Sequence, residues 1–275
     1  GDERGIDVAI ASEGKFGPEL PEIYDDWAGF QAWAELFEGD QGQVRFTRRQ
    51  LFCPSPDPRQ IVAVGLNYRE HAAESGFALP ERLPPVFTKF VSSLTGPDCE
   101  VTLPRDGNTD WEVELVAIIG REATNVAESD AWSFVAGLAV GQDISERISQ
   151  LDGPAPQFSL GKSFPNFAPV GPWLVTPDSV PDRDDLELGC SIDGETVQIG
   201  RTSALVFTIP ELVSRLSHTI TLFPGDIVFT GTPAGVGLGR SPQRFLQPGD
   251  RLDSWIEGIG ELHQVFTASL SEGGT

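Results

Sequence analysis

The stretch Asp110-Trp111-Glu112-Val113-Glu114-Leu115-Val116-Ala117-Ile118-Ile119-Gly120 decides how the chain is read. Successive side chains of a strand point to opposite faces, so Glu112 and Glu114 share a face with Val116 and Ile118. Two like charges then stand side by side on a partly apolar surface, which is costly unless something positive lies between them. Spacing alone leaves two readings open: the solvent face of an edge strand, or a pair of ligands for a cation.

Working outward, Asp143 ends the apolar run Val135–Gly141, where an acid at a strand end can project into a cavity. Three carboxylates with no His or Cys nearby in sequence suit a hard divalent cation, Mg2+ or Mn2+ more than Zn2+. His71 and Glu74 are three apart in the polar segment Asn67–Gly76, so on a helix they share a face. A carboxylate beside an imidazole can hold it ready for general-base work, although an exposed helix with an incidental pair reads the same way. Lysine is scarce. Lys162, in the turn-rich loop Ser159–Phe167, could meet an anionic substrate or simply be solvated, and the same holds for Lys89 in Phe87-Thr88-Lys89-Phe90.

The 275 residues, 39% of them hydrophobic, can build a real core. No apolar run is long enough to cross a bilayer and no signal peptide is evident, so the expectation is a soluble, cytoplasmic protein with no membrane partner. A formal charge of −22 argues against nucleic acid. Cys53, Cys99 and Cys190 are widely spaced and odd in number, which suggests neither a disulfide framework nor a zinc site. The glycine-rich Thr230–Arg240 lacks the Gly-Lys-Ser/Thr of a phosphate loop and the helix-opening pattern of a dinucleotide site. A serine nucleophile elbow is also absent.

Three prolines in Pro54–Pro58 mark a linker over 54–59, dividing a small N-terminal domain, 1–53, from a larger unit, 60–275. Within the first, Asp26 caps a helix predicted over 26–38 with Trp27, Phe30, Ala34 and Phe37 on one face. The second reads as strand-rich: 61–66, 113–119, 136–140, 173–175 and 227–230, a hairpin turning at Asp193-Gly194, and strands after two Pro-Gly-Asp turns. Two helices are predicted, around 129–135 behind Ser129 and over 210–218 with Pro210 in its first turn. The class is a β-rich α+β fold without repeated βαβ units.

Several stretches in order carry a resemblance: Val64-Gly-Leu-Asn-Tyr-Arg-Glu-His71, Trp111-Glu-Val-Glu-Leu115, Gln142-Asp-Ile-Ser-Glu-Arg147 with Gln150, Gly161-Lys-Ser-Phe164, Pro224-Gly-Asp-Ile-Val-Phe-Thr-Gly-Thr232 and Pro248-Gly-Asp250. Together they resemble the fumarylacetoacetate hydrolase family from about residue 60 to 266. The resemblance implies a mixed β-roll, a homodimer and a small anionic keto-acid substrate. It implies Glu112, Glu114 and Asp143 as ligands of Mg2+ or Mn2+, with Ca2+ a further candidate, and His71 with Glu74 as a general-base dyad on a lid segment. Lys162 matches the substrate-binding lysine, with Gln150, Thr232 and Arg147 as further contacts. Many relatives have Ala where this chain has Glu146, which is expected close to the metal ligand Asp143. The implied reaction is hydrolysis of a carbon–carbon bond in an acylpyruvate, releasing pyruvate as an enolate that a divalent cation stabilises. Decarboxylation of oxaloacetate and isomerisation of a 2-hydroxy-dienoate use the same chemistry; a non-catalytic Ca2+-binding β module is the reading from another class.

Overall fold

The computed structural model of the chain describes residues 3–40, 42–74 and 83–269, with 72–74 as backbone alone. Strand β1 (Glu3–Ile6) is followed by helices α1 (Val8–Ala11), α2 (Leu20–Asp25) and α3 (Trp27–Leu36), and β2 (Gln43–Phe46) returns to pair antiparallel with β1. Next come β3 (Ile61–Val64), α4 (Arg69–Glu74), β4 (Val86–Lys89), β5 (Leu94–Thr95), β6 (Asp98–Leu103), β7 (Thr109–Asp110) and β8 (Val113–Ile119). The middle of the chain supplies β9 (Val135–Gln142), β10 (Ser145–Glu146), α5 (Arg147–Gln150), α6 (Phe158–Gly161) and β11 (Ala168–Val175). The remainder is β12 (Glu187–Ile192), β13 (Glu195–Arg201), α7 (Ile209–Ser217), β14 (Ile227–Phe229), β15 (Arg251–Ile256) and β16 (Gly260–Ala268).

Two sheets dominate this strand-rich α+β architecture. One has seven strands in the order β4-β3-β14-β8-β9-β11-β5, mixed in direction; the other has five, β13-β12-β15-β16-β6. β8 therefore lies inside the larger sheet, hydrogen-bonded to β14 and β9, and all seven of its residues are buried. That overturns the edge-strand reading of Glu112 and Glu114. Val113, Leu115, Ala117 and Ile119 pack into one apolar cluster with Leu188, Leu252 and Leu262 of the five-stranded sheet. Val116 and Ile118, on the face of the two acids, join a second cluster with Ile61, Ala139 and Phe229. Burial on both sides of a strand removes apolar surface twice, which fixes β8 and with it the direction in which its carboxylates point.

Local signals placed most elements. Asp26 accepts a hydrogen bond from the Gly29 N–H at 3.2 Å, capping α3 as its sequence suggests. The Asp193-Gly194 hairpin forms with both residues at positive φ, 50° and 83°, which matches the twist of β12 and β13. α7 begins one residue before the expected start, because Thr208 and Glu211 form a reciprocal capping box. The helix expected behind Ser129 is instead a 3-10 segment, Glu128–Phe134, preceded by Ala127; the Ser129 hydroxyl bonds its neighbour Asp130, and the chain enters β9 at once. β11 starts five residues before the predicted 173, since a register shift between Gly171 and Val175 accommodates Pro172, which in sequence reads as a breaker. The three cysteines are free. Among the described residues no helix is long and apolar enough to cross a membrane.

Candidate active site

Glu112 immediately precedes β8, Glu114 lies within it, and Asp143 follows β9. The Asp143 N–H donates to the Glu112 carbonyl at 2.9 Å, so the strand ends themselves bring the acids together. One oxygen from each of the three buried carboxylates can be chosen so that all lie within 4.8 Å of one another. Unscreened, such a group would repel strongly. Lys162 bridges two of the acids, its Nζ 2.8 Å from Glu112 Oε2 and 2.6 Å from Asp143 Oδ2. Arg147 Nη1 meets Glu112 Oε1 at 2.8 Å. Lys89 Nζ reaches Asp143 Oδ1 at 2.6 Å and also donates to the Lys162 carbonyl.

Both lysines are buried, so neither is the solvated loop residue that sequence left open. Sequence reasoning left Lys89 open between an anionic substrate and solvent and did not place it among the acids. The signal was present: β4 alternates exposed and buried along Val86, Phe87, Thr88 and Lys89, which sends the lysine inward beside Phe87. Asp110 was also missed. Its carboxylate receives Arg147 through Nε at 2.8 Å and Nη2 at 2.7 Å, and the Gly237 and Leu238 N–H groups at 2.7 and 2.9 Å. Asp110 thereby ties Arg147 to the glycine-rich loop.

This buried set holds four carboxylates, Asp110, Glu112, Glu114 and Asp143, against three cations, Lys89, Arg147 and Lys162. The shortfall of positive charge is felt unequally. Burial would raise the Glu112 carboxyl, but Lys162 and Arg147 outweigh it and bring its pKa down to about 2. Burial, followed by the charges of Asp143 and Glu112, drives Glu114 well above the ordinary carboxylate range. Glu114 does accept the Gly231 N–H at 2.7 Å, delivered by a backbone at φ 104° that favours glycine. Burial pushes Lys89 down despite Asp143, whereas Asp143 and Glu112 overcome burial to raise Lys162. Three converging hard oxygens and one carboxylate short of a cation fit a divalent ion of the Mg2+ or Mn2+ kind.

Glu112 and Glu114 lie on the wall of a cavity of about 470 Å³, lined also by His71, Arg147, Gln150, Lys162 and Thr232. His71, on α4, is buried there, close enough to Glu112 to act on its carboxylate. Glu74 ends α4, but its side chain lies outside the described residues. Gln150 Oε1 accepts from Arg147 Nη1 at 2.8 Å, which leaves its amide N–H groups as the donors for a ligand. The Thr232 hydroxyl donates to the Val113 carbonyl and accepts from Gln198 Nε2, each at 2.8 Å. Its single hydrogen is therefore engaged and is not offered to an anion. Glu146 corrects an expectation: its carboxylate turns away from Asp143 and caps α5, accepting from Asn108, Ile148 and Ser149 backbone N–H groups at 2.8, 3.0 and 2.7 Å. A carboxylate at a helix N-terminus with three N–H partners has no reason to approach other acids.

Known proteins share this arrangement of chain. The family model described as fumarylacetoacetate (FAA) hydrolase C-terminal matches residues 60–267. A mitochondrial oxaloacetate tautomerase of Homo sapiens is 42% identical over 275 residues, spanning 94% of this chain and 84% of its own. The crystal structure of an HpcE protein from Mycobacterium smegmatis superposes with a TM-score of 0.92 at 54% identity, covering 96% of this chain and 94% of that one. Fumarylpyruvate hydrolase from Pseudomonas aeruginosa, solved with Mn2+ and pyruvate, superposes with a TM-score of 0.70 at 32% identity, covering 77% and 91%.

Proposed function

The chain belongs to the fumarylacetoacetate hydrolase family, and we propose from that premise that it hydrolyses a carbon–carbon bond in a 2,4-diketo acid of the acylpyruvate type, releasing pyruvate. One observation carries the reading: three buried carboxylates converge beside a cavity whose wall holds two of them, Glu112 and Glu114, together with a buried imidazole. Cleaving such a bond requires positive charge at the 2-keto acid end, where electrons accumulate, and a base for the water that attacks the distal carbonyl.

Glu112, Glu114 and Asp143 would hold Mg2+ or Mn2+. Bound there, the ion supplies Lewis acidity toward the keto acid's oxygens. Lys162 and Arg147 hold the Glu112 carboxylate from two sides and fix its orientation, as Lys89 does for Asp143. Gln150 directs its amide toward the substrate head. His71 takes a proton from water at its ring nitrogen, and the family resemblance gives Glu74, three residues on, the role of orienting the imidazole. The likeness to a fumarylpyruvate hydrolase solved with Mn2+ and pyruvate supports a pyruvate-releasing hydrolase.

A second reading has its own support in the 42% identity to an oxaloacetate tautomerase. On that reading His71 moves a proton between carbon and oxygen of the substrate and no water is consumed; decarboxylation of oxaloacetate belongs with it. The two separate in one screen of acylpyruvates, fumarylpyruvate and oxaloacetate with Mg2+ or Mn2+ against an EDTA control. Metal-dependent loss of diketo absorbance with stoichiometric pyruvate is expected. Turnover of oxaloacetate alone would replace the first reading with the second.

A further inference from the structure

The cavity wall divides by chemistry. Glu112, Arg147, Gln150 and Lys162 form one hydrogen-bonded set beside Glu114, whereas Leu66, Phe87, Leu151, Phe158, Val236 and Leu238 supply hydrocarbon. The apolar side is braced: Phe87 and Phe158 meet edge to face with centroids 5.6 Å apart, and Leu238 is held through its N–H by Asp110 at 2.9 Å. Arg147 and Lys162 are the Arg and Lys that line the cavity among the described residues. Both are committed. Arg147 spends Nε and Nη2 on Asp110 and Nη1 on Glu112 and Gln150, while Lys162 sits between Glu112 and Asp143. His71, the other basic group of the wall, is given to water in the reading above.

A substrate that places its 2-keto acid head at the acids must lay its other end against these hydrocarbon side chains. A second carboxylate there would lose its hydration without gaining a cation from the described residues, whereas an alkyl or aromatic group would gain by leaving water. We propose that the acyl part of the substrate is uncharged and apolar, and that Leu238 and Val236 select it. This sets the chain apart from an enzyme for fumarylpyruvate, whose acyl end is a carboxylate. The inference rests on the keto-acid reading of the same site.

Equilibrium binding tests it without turnover. Pyruvate, 2-oxohexanoate and 2-oxoadipate share one head; the last two have equal carbon counts and differ in a terminal methyl or carboxylate. Titrated calorimetrically into the Mn2+-loaded protein, 2-oxohexanoate should bind at least about tenfold tighter than pyruvate, since each buried methylene contributes roughly fourfold. It should exceed 2-oxoadipate by a similar factor. Leu238→Arg, shown folded by an unchanged Tm, should reverse the order of those two. Equal or tighter binding of 2-oxoadipate by the unmodified chain overturns the apolar arm while pyruvate binding keeps the keto-acid reading intact. Retained preference for 2-oxohexanoate in folded Leu238→Arg removes the tail from Leu238 and also counts against the proposal. If pyruvate itself fails to bind, the keto-acid reading falls and takes this inference with it.

Discussion

The two faces of β8 alternate along the same short strand and are both buried, yet they are stabilised by different means. One, Val113 to Ile119 by odd positions, is continuous hydrocarbon against the five-stranded sheet. The other is hydrocarbon only at Val116 and Ile118; at Glu112 and Glu114 it becomes charge, held by a lysine, an arginine and a backbone N–H. Non-directional burial makes the first face tolerant of which apolar residue fills it. The second depends on the position of each partner, because a buried carboxylate without one costs several kcal/mol, of the order of 3–5. Chemistry is concentrated where the apolar continuity stops.

That contrast can be broken on either side. The largest effect is expected from Glu112→Ala, which removes an oxygen ligand and a shared partner of Lys162 and Arg147. Steady-state kinetics should show turnover lower by roughly a thousandfold or more, with circular dichroism still that of the folded chain; undiminished activity would dismiss the acids as a site. On the opposite face Leu115→Ala should cost about 2–5 kcal/mol of stability in urea melts through the cavity it leaves. Its Mn2+ affinity per folded molecule should be unchanged, and a selective loss of metal would mean that the two faces are not separable.

The smallest effect sharpens the difference between the two glutamates. Glu112, with its folded pKa brought from 4.5 to about 2, contributes stability that is present above 4.5 and lost as pH falls through that interval. Glu114 is shifted the other way, so its contribution is present below its ordinary value and lost as pH rises through the raised folded one. Glu114→Gln should therefore make the metal-free protein as stable or slightly more stable at neutral pH, with a flatter pH profile, while weakening Mn2+ binding. In the unmodified chain the raised pKa of Glu114 makes a proton compete with Mn2+, so calorimetry in buffers of different ionisation enthalpy should detect proton release and tighter binding as pH rises. Binding independent of pH would contradict the raised pKa.

Much of this was legible in residue order. The alternation in Trp111–Ile119, the Asp26 cap and the Asp193-Gly194 turn act over a few residues, where backbone geometry alone relates the side chains. The acid pair and Lys162 were visible as types, and the ordered motifs supplied the family. Lys89 could have been found from the alternation of β4. Asp110 could not, because its partners are 37 residues away at Arg147 and 127 away at Gly237. Glu146 was misplaced because proximity in sequence to Asp143 was taken for proximity in space; the turn into α5 points the two side chains apart.

The sequence by itself determined which residues share a face of β8, the strand-rich class and the membership that the motif order implied. Only the tertiary structure decided that β8 is central rather than an edge, that Lys162 and Lys89 are buried among the acids, and that Glu112 and Glu114 differ in charge affinity. Those facts arise from β14, β9 and α6 closing around one strand, and the electrostatics of a carboxylate depend on what surrounds it rather than on its neighbours in the chain.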